Sequence, residues 1–526
     1  MRIRCAAALV AGILLGSAPL CAQGVLSGSV ESSSIYDVLP GSAWNGFHSN
    51  NYLKLDYRAG GGFYAGLQAE WYPSPLPGFD TALQGVGLPM KYFGWDHRDW
   101  SVTVGDFYQQ FGSGLILRSW EDRDLGLFNS LGGVRVGASF FDNKLLVTAL
   151  SGVPREGLWY GRSLVSGADA SLALGNFTLS GSVVDRWEWE PDGDMTLLLG
   201  GREAPANVLL YSGRIAWSSS WGMNGLHINA EYVGKGRDFT TEHQVSGSDV
   251  FDLKPGRAIM AEVSYSYEGL SATASWRYLD NMGFSSRRTL GTKSISNTLN
   301  YLPALCQQQT YMLACLNPYE TYAEGESGFR GDIYYHFKNG SALGGRYGMT
   351  LHVGGSWINA LGKVLPRRDR DYLAYRDLNI DLERRWSRKF KTTIFVSIQE
   401  NSPTHGNRKA TNAQNVFVFE GIYKFSSAVS LRWELQYLYS QELTKDWMAG
   451  LVEVGLAPHW SFSLSDMYNH GSTRDHYWNA SVSYSNGAFK VLAGYGRNRA
   501  GMVCSGGVCR YQPEYKGASL RAQWSF

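Results

Sequence analysis

The chain has 526 residues, 14% of them aromatic and 62 of them glycine, with 48 Lys+Arg against 46 Asp+Glu for a net charge of +2. So even a balance excludes the extended basic surface that grips nucleic acid. No run of about 18 or more apolar residues follows the N-terminal leader, which excludes helical membrane spans, and helical periodicity is almost absent.

The stretch "MRIRCAAALVAGILLGSAPLCAQG" opens the chain. Two arginines, an apolar run and small residues before Gln23 read as a secretory signal peptide over residues 1–22, cleaved after Ala22. A lipoprotein processed at Cys21 would want a small residue directly before it, and "SAPL" puts Leu20 there. Residues 23–526 are then one exported domain.

Alternation with period two, the pattern of half-buried strands, recurs along that domain. "YLKLDYRAG" sets Leu53, Leu55 and Tyr57 against Lys54, Asp56 and Arg58, and "FYAGLQAEW" sets Phe63, Leu67 and Trp71 against Tyr64, Gln68 and Glu70. In a membrane barrel the charged faces turn into a wet lumen, where Lys54, Asp56, Arg58 and Glu70 are expected.

"WSVTVGDF" and "GGVRVGASF" read as strands that enter and leave a long connection. The intervening Leu115, Ile116, Leu117, Trp120, Leu125, Leu127, Phe128 and Leu131 are too apolar for a loop in water. Residues 107–130 are therefore expected to fold into the barrel as a constriction or partial plug. The charges Arg118, Glu121, Asp122, Arg123 and Asp124 would find partners there, and Gly112, Gly114, Gly126, Gly132 and Gly133 would let the chain turn. The alternative is two longer strands with an outer hairpin at "EDRD".

Further along, "LHINAEYV" alternates Leu226, Ile228, Ala230 and Tyr232 with His227, Asn229 and Glu231. The longest connection, near 281–327, carries Cys306 and Cys315, and the last carries Cys504 and Cys509 around "SGGV". Cys5 and Cys21 leave with the leader. The remaining even count, paired locally, reads as two surface-loop disulfides, Cys306–Cys315 and Cys504–Cys509. A metal site would need histidines or further cysteines at ligand spacing.

The basic run "LPRRDRDYLAYRDLNIDLERRWSRKFK" has a strand inside it, with Leu378, Ile380 and Leu382 outward and Asp377, Asn379, Asp381 and Glu383 inward. Its terminal arginines then mark rims that meet lipid headgroups. "VSLRWELQYLY" places Arg432 and Glu434 inward. "DMYNHGSTRDH" gathers Asp466, His470, Asp475 and His476 near a loop, yet no motif fixes a catalytic arrangement. No catalytic, metal or cofactor residue is assigned, and an enzyme is not expected. The final "KGASLRAQWSF" sets Ala518, Leu520, Ala522, Trp524 and Phe526 on one face. A terminal Phe526 with Trp524 two residues earlier resembles the assembly signal of bacterial outer-membrane barrels.

Short connections rich in Gly, Asn and Asp alternate with long ones, about 11 against about 12. The expected fold is all-β: a single transmembrane antiparallel barrel of about 24 strands (about 20 to 26 acceptable) in the outer membrane of a Gram-negative bacterium. Termini and short turns would be periplasmic, and long loops extracellular. No soluble plug domain precedes the strands, no periplasmic domain leads them and no cargo domain follows, which argues against a TonB-dependent receptor or a lipopolysaccharide-insertion barrel.

"SNNYLKLDY", "GLQAEWYPSPLPGF", "SVTVGDFYQQFGSGLILRSWEDRDLG" and "NSLGGVRV" resemble a family of exported outer-membrane barrel proteins of unknown function from Bacteroidota, most densely over about residues 49–140. That resemblance implies a lineage and an outer-membrane location, and it carries no assigned activity or functional residue. The leading functional expectation is a porin-like channel for small solutes. The other is a non-conducting structural or secretion-associated barrel that acts through protein partners. Lipid and the barrel-assembly machinery are the expected partners.

Overall fold

The period-two segments fold as strands, and 24 of them close into one antiparallel barrel. The computed structural model describes residues 24–189, 198–219, 225–242, 250–288, 295–361, 372–402, 412–442 and 444–526. The signal peptide expected over 1–22 and the arginines at 367, 368 and 370 lie outside the described residues.

Closure is made by the first and last strands. Val25–Asp37 pairs with Gly46–Arg58 on one side and with Tyr515–Ser525 on the other, in register from Ser29↔Ser525 to Asp37↔Gly517. Gly28 and Phe526 exchange backbone hydrogen bonds at 2.8 and 2.9 Å, so the terminal residue itself seals the seam. A closed ring leaves no strand edge with unpaired amides, which is the condition for crossing lipid.

Side-chain alternation sorts the two faces. Along Phe63–Tyr72, Phe63, Leu67 and Trp71 are 45%, 38% and 52% exposed on the outside, whereas Gln68 and Glu70 are 1% exposed on the inside. The same exposed apolar row recurs round the wall at Val134, Ile215, Ile333, Phe417 and Leu492. Such a belt is stable only against hydrocarbon, and the protein is an outer-membrane β-barrel. In the strand Tyr372–Arg385, Leu378 and Ile380 face out while Asp377 and Asn379 are buried, as their alternation predicts.

Two glycines show how bulky rings fit this wall. A Cβ on Gly94 would come within 2.0 Å of the ring of its cross-strand partner Tyr64, and one on Gly421 within 2.0 Å of the Trp433 ring. The rings lie flat over bare backbone, an arrangement that shields a glycine in a sheet.

Short turns join the strands at one end, as at His97–Trp100 and Tyr267–Leu270. Most of the longer connections leave from the other end, but residues 338–348 form an eleven-residue connection between Phe337 and Met349 at the short-turn end, where "NG" at Asn339 reads as a tight turn. Among the described residues three connections from that other end turn into the lumen, and residues 73–84 join them through Phe79 and Leu83, which pack with Phe128.

Candidate functional site: a plug built from three connections

The first plug segment begins where the strand Trp100–Phe107 ends and returns at the strand Leu131–Phe140. It is neither an open loop nor an extension of the wall. Gln110–Phe111 pairs with Leu117–Arg118, and Glu121–Asp122 pairs with Leu127–Phe128, giving two small hairpins in series. Gly114 (φ +97°) and Gly126 (φ +72°) take the left-handed turns these hairpins need. Asp122 closes the second by accepting from the amides of Asp124 and Leu125 at 3.1 and 3.0 Å. "EDRD" is thus a hairpin turn, directed inward.

Apolar residues of this segment are spent against the inner wall. Phe111, Leu115, Ile116 and Leu117 pack with Val165, Val184, Leu210 and Val233, while Phe128 packs with Tyr52 and Tyr72. Leu115, Ile116, Leu117 and Leu127 are 0% exposed, and each such burial is worth about 1.5–3 kcal/mol. Trp120 is only half-buried, its ring edge-on to Tyr301 at 5.7 Å.

The connection between Asp280 and Gly325 is the second part. Met282, Phe284 and Leu299 complete the cluster around Leu115. Leu305, Tyr319 and Tyr322 pack on Ile358 and Ala374, and Leu313 and Leu316 on Phe395, Val416 and Leu438. Backbone and amide bonds tie it to the first part: Arg118 N donates to Leu299 O (2.8 Å), Tyr301 N to Gly114 O (2.9 Å), and Asn129 Nδ2 to Thr298 O (2.6 Å).

The third part is the hairpin of Gly501–Ser505 with Val508–Gln512, closed by the Cys504–Cys509 disulfide. Gly506 O accepts from Ala304 N at 3.3 Å, and Arg510 donates to Pro77 O and Asp124 O at 3.0 and 3.2 Å. Three connections far apart in sequence thereby form one body inside the barrel, at the end from which the long connections leave.

The expected charges divide their work. Arg123 donates to Glu31 (2.8 Å), Glu121 (2.5 Å) and Gln68 (3.1 Å), with its guanidinium 4.3 Å from the Tyr52 ring. Asp124 is ion-paired with Arg521 of the last strand. Arg118 pairs with no carboxylate among the described residues; it lies between the rings of Trp120 (4.6 Å) and Tyr301 (4.1 Å). The wall partners are therefore Glu31, Gln68 and Arg521. Alternation alone could have put all three on the inner face, but it says nothing about which reaches the loop.

The expected lumen residues are on the inner face with other tasks. Lys54 pairs with Asp56 (3.5 Å), Asp56 accepts from Tyr92, and Arg58 lies over Tyr64. Glu70 is bound by Arg155, a residue the sequence reading passed over. Arg432 bridges Glu420 (2.9 Å), Glu434 and Glu453 (3.6 Å). Trp524 and Phe526 face outward, their rings 4.9 Å apart. His476 pairs with Asp466 at 2.7 Å, while Asp475 is taken by Arg497. Gly132 and Gly133, expected as turn residues, sit instead in the strand Leu131–Phe140, where a Cβ would strike Tyr160 and the Ser151 carbonyl. No group of three or more His, Cys, Asp or Glu is placed to hold a metal among the described residues.

One disulfide expectation needs correction. Cys306 and Cys315 are free thiols, and their connection is not a surface loop. Cys306 packs against the cluster around Tyr319, while Cys315 Sγ donates to Gln309 O at 3.0 Å, so the inward packing that buries the segment also holds the two sulfurs in separate surroundings. Burial pushes the Cys306 thiol up to about 12 and the Cys315 thiol up to about 11.

The family described as "Family of unknown function (DUF6029)" matches residues 4–526. No curated protein matches the chain. Among solved structures, the E. coli P pilus tip assembly intermediate PapC-PapD-PapK-PapG is similar with TM-score 0.50 and 9% identity, over 95% of this chain and 60% of that one. The P pilus usher (PapC) translocation pore gives TM-score 0.46 and 9% identity, over 95% and 99%. Pseudomonas aeruginosa OccK8 (OprE) gives 0.43 and 10%, over 84% and 98%. At such identities the likeness is one of fold.

Proposed function

Since this chain belongs to DUF6029, a family of unknown function, its activity has to be read from the barrel itself, and we propose a channel for small solutes whose resting state is closed by its own connections. One observation carries the reading: a charged inner wall stays accessible away from the plug. The side chains of Lys54, Asp56, Arg432 and Glu453 are 38%, 31%, 36% and 37% exposed inside the barrel. A wall with no aqueous role would gain nothing by keeping these charges wet. The mixed signs favour small polar solutes of either charge.

The closed state is held on one side by contacts that can be exchanged for water, Arg123 with Glu31 and Asp124 with Arg521. On the other side it is held by apolar packing. Deleting Gly112–Leu127 tests the reading in planar bilayers and by antibiotic uptake. Higher conductance and uptake from a correctly assembled barrel support it; both unchanged would remove it.

The second reading, a non-conducting barrel that works through partner proteins, is favoured by the fully buried cluster around Leu115, which resists opening. In that case neither wild type nor variant carries steady current. Under either reading the chain enters lipid through the barrel-assembly machinery with Trp524 and Phe526 as its signal, termini and short turns periplasmic, in a bacterium of Bacteroidota type.

A further inference from the structure

We propose that the lipid-facing wall holds one membrane lipid at the Asp466–His476 pair, and that this lipid carries an N–H or O–H donor at the head of its acyl chain. This does not depend on whether the lumen conducts.

Along the strand Trp460–Tyr468, Trp460, Phe462 and Leu464 face outward at 48%, 45% and 59% exposure. Asp466 continues that row, so its carboxylate stands on the lipid side of the wall. Gly450 and Trp478 flank it across the sheet, and His476 lies opposite Tyr468 one step further along the same face. Trp460 and Tyr484, with rings 4.8 Å apart, form the aromatic girdle at the short-turn end. At a rise of ~3.4 Å per residue and a tilt of ~40°, Asp466 stands about 15 Å from that girdle along the membrane normal, within an apolar band about 25 Å tall. Ionisable side chains at such a depth are costly and mark function.

His476 Nδ1 donates to Asp466 Oδ2 at 2.7 Å, and the Tyr468 ring stacks on the imidazole at 4.2 Å. A carboxylate only accepts, so Nδ1 carries the proton of this bond, and in the neutral ring Nε2 keeps a free lone pair. Asp466 Oδ1 is buried with no hydrogen-bond partner, whereas the His476 side chain is 56% exposed. What the pair offers the membrane is therefore His476 Nε2. That lone pair needs a donor. Ester and phosphodiester oxygens only accept; an amide N–H or a hydroxyl can serve.

Beside the pair the wall is hollow. A Cβ on Gly450 would meet nothing nearer than the Glu434 carbonyl at 3.8 Å, unlike one on Gly421, whose space the Trp433 ring fills. Trp433, Leu435, Val452, Leu464 and Trp478 wall a groove of about 450 Å3 that Asp466 and His476 border. This groove is continuous with the face already turned to hydrocarbon, so an acyl chain fills it in the bilayer. A chain seated there brings its polar linkage to His476.

Sphingomyelin and phosphatidylcholine share a phosphocholine headgroup, but only sphingomyelin has an amide N–H and a hydroxyl where its chains join. Full-length protein in mixed micelles of the two at pH 8, read by native mass spectrometry, tests the proposal. Wild type should retain one sphingomyelin in preference to phosphatidylcholine by about fivefold, the worth of one net hydrogen bond. His476→Leu should retain the two alike. Gly450→Leu, whose side chain fills the groove, should retain neither, and it serves as the test if His476→Leu fails to assemble. Equal retention by wild type, a preference that survives either substitution, or a second copy of the chain bound in place of lipid overturns the proposal.

Discussion

Glu70 and Arg155 form a two-pronged ion pair, Nη2 to Oε2 at 2.5 Å and Nη1 to Oε1 at 2.8 Å, although three strands of the wall lie between them. Both side chains are almost fully buried. Tyr72 and Gln68 donate to the same carboxylate at 2.7 and 2.8 Å, and the Phe128 ring of the plug lies 4.7 Å from the guanidinium. The pair meets the plug at the Phe128 ring and, through Gln68, at Glu121.

Removing one partner of such a pair leaves a buried charge alone, which costs about 3–5 kcal/mol. Arg155→Met should lower the stability of the assembled barrel by about that amount, read as the midpoint of denaturant unfolding in detergent. The double variant with Glu70→Gln should recover part of the loss. Equal midpoints for Arg155→Met and wild type would mean that the pair does not hold this region.

Arg123 reaches Glu31 across 92 residues of sequence and is the most direct tie between plug and first strand. Arg123→Gln and Glu31→Gln should each produce intermittent openings in bilayer recordings, smaller than those of the loop deletion. Because Arg123→Gln already removes the Glu31 contact, along with those to Glu121 and Gln68, the double variant should open no more often than Arg123→Gln alone. Additive opening frequencies would show that the two residues act separately.

Cys306 and Cys315, with thiols raised by burial, should resist maleimide in the folded protein from pH 7 to 10. An ordinary thiol becomes largely thiolate above about 8.5. The folded state keeps protons that the unfolded chain releases, so the stabilisation is complete below about pH 8.5 and is lost as pH rises through about 11–12. Intact mass should change on reduction by one bridge, that of Cys504–Cys509. Fast labelling at pH 8, or a change equal to two bridges, would contradict this arrangement.

Deleting Phe526 removes both backbone bonds to Gly28 and one ring of the outer aromatic pair with Trp524. Export across the inner membrane should continue while outer-membrane insertion falls, visible as loss of the heat-modifiable band with periplasmic accumulation. Normal amounts of the folded band would show that the terminal residue is dispensable.

The plug was legible in part. Between residues 107 and 130 the density of Leu, Ile and Phe demanded burial, and the glycines and "EDRD" marked its turns. The same demand is written in "YLPALC" and "YMLACL" of the second connection, where the cysteines drew the reading toward a surface disulfide. Composition could have found that segment. Spacing misled because two cysteines nine positions apart pair only if the fold brings their sulfurs together.

The sequence alone determined the wall. Alternation is a local property, each strand of a barrel must show lipid one face and the lumen the other, and a one-residue slip would reverse every side chain. Strand number, the order of most short and long connections and the inward position of Lys54, Glu70 and Arg432 follow from it; the eleven residues 338–348, read as a short turn, do not. Tertiary structure alone decided the contacts across the lumen. Asp124 and Arg521 lie 397 residues apart, and Arg288 reaches Glu188 and Asp238 of the wall only because its connection folds back over their strands. Such pairings depend on closure of the ring and on the stagger between strands, which no local pattern of residues encodes.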